Sequence, residues 1–113
     1  AGTYVKNTNL TGVVFQTGSA YNTSTCTFTA PVTGTYFFYY CANMYSDVSP
    51  RSLMVYVNGS GRLRAYTDSA GAWHAQVCAG VIQMSLNDYV EFYYSGDPDS
   101  GQTWHYAGGY LLG

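Results

Sequence analysis

A chain of 113 residues and 12.3 kDa is one domain, 1–113, large enough to bury a single core without a metal or a disulfide framework. Apolar residues make up 47% and charged residues only 9%, with a formal net charge of −2 and no run of Lys or Arg, which excludes a nucleic-acid partner. No stretch reaches the roughly 18 uninterrupted apolar residues of a membrane helix, so membrane insertion is not expected either.

Helical spacing is absent, and Val, Thr, Tyr and Phe dominate, punctuated by Gly, Asn, Asp, Ser and Pro. Strands are predicted near 12–16, 25–29, 35–43, 52–57, 62–67, 73–79, 81–86, 89–95 and 105–112. Pro31 and Gly34 turn the chain before the third of these. Asn58-Gly59 lies between two apolar runs and tolerates positive φ twice, the signature of a two-residue hairpin; Asn87-Asp88 is a weaker signal of the same kind. Many short strands in one domain predict an all-β sandwich or jelly roll.

The third strand reads apolar on both faces: Tyr36, Phe38, Tyr40 and Ala42 on one, Phe37, Tyr39 and Cys41 on the other. The fourth does the same, with Leu53, Val55 and Val57 opposite Met54 and Tyr56. A strand with one solvated face alternates apolar with polar residues. One face of each strand fills the core, and the other needs a cover, for which self-association is the simplest source. Cys26, Cys41 and Cys78 are three and cannot all pair within one chain; buried thiols, or one bridge and a free thiol, remain open.

Val13-Val14-Phe15 followed by Tyr21-Asn22, the run from Cys26 to Phe38 and the closing Gly108 to Leu112 are among five segments that span nearly the whole chain and resemble the C1q/TNF-like jelly-roll family. The first of these resembles the family's first paired strands, and Cys26, Phe28, Ala30-Pro31, Gly34, Tyr36 and Phe38 follow the pattern of the strand that enters its sandwich. Leu53-Met54-Val55-Tyr56-Val57-Asn58-Gly59 resembles its strand ending in an Asn-Gly hairpin, and Met84, Leu86, Asp88 and Val90 its acidic turn. Gly108-Gly109-Tyr110-Leu111-Leu112 is similar to its closing strand. The resemblance implies a C1q/TNF-like jelly-roll β-sandwich of about ten antiparallel strands. It also implies a homotrimer forming the C-terminal head of a longer fibrous chain, at an extracellular or virion surface. Gly108 stands where the family has Ser, the domain is short and its charge is low. These departures favour a phage or bacterial fibre tip over a secreted animal pattern-recognition protein.

Phe37, Tyr39, Tyr36, Phe38, Met54, Tyr56, Tyr110 and Leu112 are therefore the expected core and trimer-contact residues. Flat aromatic rings beside hydrogen-bonding side chains make shallow sugar or protein sites. Trp104, Asp99, Gln102 and His105, with Tyr45 and Tyr66, are the candidate ligand-binding residues for a cell-surface glycan or protein receptor, although for any one ring core and interface packing is the stronger reading. Asp97 and Asp99 offer two hard oxygen ligands for calcium, but without a third acid they also read as a polar Asp/Pro/Gly turn. His74 and His105 lack the spacing of a zinc site. No phosphate loop, nucleophile elbow or paired-Glu arrangement is present, so no catalytic residue is expected. The function that follows is a non-enzymatic recognition or capping head, with a pure trimerisation lock for a fibrous stalk as the alternative.

Overall fold

A computed structural model of the chain describes residues 5–7, 14–15, 20–46, 51–67, 71–95 and 106–113. These form ten strands and no helix: β1 (Val5–Lys6), β2 (Val14–Phe15), β3 (Tyr21–Asn22), β4 (Thr27–Thr29), β5 (Gly34–Ser46), β6 (Arg51–Val57), β7 (Ser60–Thr67), β8 (Gly71–Met84), β9 (Tyr89–Ser95) and β10 (Tyr106–Leu111). One sheet runs β3-β4-β9-β6-β7, with β1 also paired to β9; the other runs β2-β10-β5-β8. The expected all-β jelly-roll sandwich is what the chain adopts.

Three details differ from expectation. The segments predicted at 73–79 and 81–86 are one strand, β8, paired with β5 in continuous register from Gly34↔Met84 to Tyr45↔Trp73. Gly80 does not break it. A Cβ there would lie 2.7 Å from Leu63 Cδ2, so the glycine admits the β7 side chain close to β8. The short strand β1 was not expected. Val14–Phe15 and Tyr21–Asn22, expected to pair with each other, are strands β2 and β3 but pair with β10 and β4 instead, and the β2–β10 pairing is parallel where all pairs were expected to be antiparallel.

The core lies between the sheets. Phe28 from β4 meets Tyr36 and Phe38 of β5 edge-on at ring distances of 5.7 and 5.3 Å, and Tyr40 meets Phe92 of β9 at 5.3 Å. Leu53, Val55, Val57, Ile82, Met84 and Val90 complete it, all buried. The two buried tyrosines keep their hydroxyls bonded. Tyr36 Oη donates to the Val32 carbonyl at 2.7 Å and so braces the turn after Pro31. Tyr40 Oη accepts from Asn7 Nδ2 at 3.0 Å, which fastens the chain after β1 to the core.

One end of the sandwich is locked by turn chemistry. Asn58 and Gly59 take φ of 51° and 82°, as a two-residue hairpin with inverted twist requires. The Asn58 side chain then accepts from Tyr89 N at 3.0 Å and donates to Asp88 Oδ1 at 2.9 Å, while Asp88 Oδ2 accepts from Ser85 N at 2.8 Å. These bonds hold Asp88 below its usual carboxylate range, Asn58 being the main cause. Nearby, Thr35 exchanges backbone bonds with Leu112 and Gly113, at 2.7 and 3.2 Å. A Cβ on Gly34 would stand 2.8 Å from Leu111 Cδ1, so the Pro-x-x-Gly turn and the closing strand fit each other through that glycine.

Two outward faces as candidate interaction surfaces

Because β5 alternates, Tyr36, Phe38, Tyr40 and Ala42 enter the core and Phe37, Tyr39 and Cys41 turn outward, half-buried. Register sets their neighbours. Tyr110, Phe37 and Val81 form one row across β10, β5 and β8; Gly108, Tyr39 and Ala79 the next; Tyr106, Cys41 and Val77 the third. Phe37 packs against Tyr110 at 5.4 Å and leans on Tyr39 at 6.4 Å. Thr35 and Gln83, bonded at 2.7 Å, close the panel at one end. Val77 is 60% exposed, Val81 56%, Tyr106 49% and Tyr110 42%, so among the described residues half of the eight large exposed apolar side chains lie on this one face. Strands β2, β5, β8 and β10 contain no Lys, Arg, Asp or Glu.

The expected core and contact residues thus separate into groups. Tyr36 and Phe38 are core. Phe37, Tyr39 and Tyr110 belong to the apolar panel, with the exposed Leu112 just beyond the end of β10. Met54 and Tyr56 lie elsewhere, on the outward face of the other sheet, since Leu53, Val55 and Val57 of the same strand fill the core.

That second face has a different chemistry. Lys6 Nζ donates to Glu91 Oε2 at 2.7 Å and to Thr27 Oγ1 at 3.3 Å. Tyr56 and Tyr93 stack with ring centroids 4.2 Å apart and an interplanar angle of 24°. Burial raises the Tyr93 phenol above its ordinary value.

All three cysteines carry free thiols. Cys78 faces the core, and burial pushes it up to about 11; Cys41 is half-buried on the apolar panel and is raised for the same reason. Cys26 is buried in the turn after β3 rather than in a strand, at a positive φ of 51°, and its thiol contacts the Thr23 carbonyl at 3.6 Å. Free thiols of this kind behave as small buried hydrophobes.

Among the expected ligand-binding residues, Asp97, Asp99, Gln102, Trp104 and His105 lie outside the described residues. Tyr45 and Tyr66 lie on β5 and β7, opposite Trp73 and Ser52 in the ladders, with their side chains outside the described set. Among the described residues there is no group of three His, Cys, Asp or Glu side chains that would hold a metal, and no helix long and apolar enough to cross a membrane. The paired faces were missed in the sequence for a simple reason: which strands share a sheet is not written in any one of them. The model of the C1q domain family matches residues 3–112 of the chain. No curated protein matches it.

Proposed function

Because the chain belongs to the C1q domain family, we propose that it works as a homotrimeric recognition head at the tip of a fibre or spike, holding cell-surface glycan or protein receptors by avidity. Domains of this family are in general non-enzymatic, trimeric recognition heads of extracellular proteins. The observation that carries the reading is the outward panel of the four-stranded sheet, three rows of Tyr, Phe, Val, Ala, Gly and Cys with no charge in any of the four strands. Burying such a face removes apolar area from water and leaves no ion to desolvate, whereas exposed apolar patches of this extent mark association sites. Gly108 and Ala79 flank Tyr39 in its row, so the ring of Tyr39 has no bulky cross-strand neighbour on either side. Three copies fixed rigidly together turn three weak sites into one strong one on a repetitive surface. The reading places the protein outside the cell or on a virion.

The same panel would serve a lock that only registers a fibrous stalk. Binding separates the two, since a lock trimerises and holds no receptor. Light scattering behind a sizing column tests the common premise. The expected mass is about 37 kDa, three chains of 12.3 kDa; a mass of one chain at every concentration overturns both readings.

A further inference from the structure

The chain has six asparagines, and Asn58 alone is followed by glycine. Asn-Gly is the pair most prone to losing its amide, because glycine has no side chain to keep its N–H away from the asparagine amide carbon. Asn58 and Gly59 are both exposed, at the tip of the hairpin between β6 and β7. Among the described residues, a Cβ on Gly59 would meet only Tyr89 Oη, at 4.0 Å, so the peptide bond stands open to water.

The fold holds both ends of the Asn58 amide all the same. Oδ1 accepts from Tyr89 N at 3.0 Å, and Nδ2 donates to Asp88 Oδ1 at 2.9 Å. The Asn58 backbone N–H donates to the Tyr89 carbonyl at 2.9 Å, and Asp88 is fixed in turn through Oδ2 by Ser85 N. Loss of the amide begins when Cγ swings onto Gly59 N. That swing pulls Oδ1 from Tyr89 N and Nδ2 from the Asp88 carboxylate, the second a charge-assisted bond. The residue most exposed to this chemistry by its sequence is therefore the one most firmly tied by its neighbours.

We propose that Asn58 is a deamidation site which the folded chain shields through Tyr89 N and Asp88, and whose conversion opens the lock that shields it. In the reaction Gly59 N gives up its proton and bonds to Asn58 Cγ. The Cγ–Nδ2 bond breaks, and Nδ2 leaves with that proton as ammonia. Water then opens the cyclic imide: entry at Cγ gives an aspartyl residue, and entry at the backbone carbonyl carbon gives an isoaspartyl link. One water enters, one ammonia leaves and nothing is oxidised or reduced. Either product lacks the donor that Asp88 accepts from. The aspartyl form sets two carboxylates against each other where a 2.9 Å bond stood, a repulsion that Arg62, which favours the charged form of Asp88, offsets in part. The isoaspartyl form also lengthens the main chain of a two-residue hairpin whose register pairs Val57 with Ser60. Both forms release the hairpin from the turn before β9.

The test is peptide mapping by mass spectrometry of the intact chain aged at neutral pH, folded and in denaturing urea, with isoaspartate counted by an isoaspartate-specific methyltransferase. In urea, Asn58 is expected to convert ahead of the other five asparagines. In the folded chain it is expected to convert about tenfold or more slowly, since both bonds have to open first. Asp88→Ala, checked for its fold by circular dichroism, is expected to recover much of that difference. Asn58→Asp carries the aspartyl product from the start and is expected to lower the denaturation midpoint. Equal rates in the folded chain and in urea overturn the proposal, as does another asparagine converting first in urea. A folded Asp88→Ala chain that ages like the parent, or an Asn58→Asp chain with the parent's midpoint, overturns it too. If Asp88→Ala does not fold, the ratio of the parent's rates in the folded chain and in urea decides.

Discussion

Phe37 on β5 and Tyr56 on β6 are both half-buried aromatic residues that point away from the shared core, yet they live in different company. Around Phe37 stand Tyr110, Tyr39 and Val81, on a sheet without one charged residue. Around Tyr56 stand Tyr93 and Glu91, with Lys6 and Arg64 in the adjacent row. An apolar second face is thus two different objects. Without charge it is fit to be buried against a copy of itself, because nothing on it must be desolvated at a loss. With an ion pair beside an aromatic stack it is fit to stay wet.

The sharpest way to break this comparison is within one strand. Phe38→Ala empties a core site and is expected to destabilise the fold by about 3–5 kcal/mol, read by chemical denaturation. Phe37→Ala, its neighbour on the outer panel, is expected to leave the folded protomer intact and to weaken assembly, so that the mass falls on dilution. Equal loss of fold in both would mean that the panel is part of the core. Tyr40→Phe removes the acceptor of Asn7 Nδ2, a buried donor, and is expected to cost about 1–3 kcal/mol; an unchanged denaturation midpoint would mean that Asn7 finds another partner.

The lock at Asp88 gives a smaller effect with a definite sign. Its folded pKa is depressed, so the stability it contributes is present above the ordinary carboxylate value and is lost as pH falls through that value towards the folded one. The parent is therefore expected to lose stability below about pH 4, and Asp88→Asn to show a flatter acid profile from a lower plateau. Identical acid slopes in the two proteins would remove Asp88 from the account. The smallest effect belongs to the Lys6–Glu91 pair, whose partly exposed side chains contribute under about 1 kcal/mol to stability. Glu91→Gln is accordingly expected to move thermal unfolding by a few degrees at most; a collapse of the fold would mean that the second face is structural rather than a surface.

Much of the fold was legible because each motif has a local physical cause. Asn58-Gly59 announced its hairpin through positive φ, and the Pro31 to Gly34 turn announced the strand that follows. The alternation in β5 separated core from panel residue by residue. The merging of two predicted strands into β8 was not legible, since Gly80 reads as punctuation until Leu63 is seen lying over it. A strand of two residues such as β1 is too short to display a period. Met54 and Tyr56 looked like Phe37 and Tyr39 because periodicity reports that a face is apolar and not which sheet it belongs to. The placing of every Lys and Arg on one sheet emerges only after strands are assigned to sheets, because Lys6, Arg51, Arg62 and Arg64 are scattered along the sequence.

The uncharged panel as the self-association face is tested most directly by placing one charge on each sheet and measuring mass. Tyr39→Asp puts a carboxylate at the centre of the panel, and Tyr56→Asp puts one on the opposite face. The account predicts that light scattering finds one chain for Tyr39→Asp and three for Tyr56→Asp, both folded by circular dichroism. A trimer that survives Tyr39→Asp, or one that dissociates on Tyr56→Asp, would contradict it.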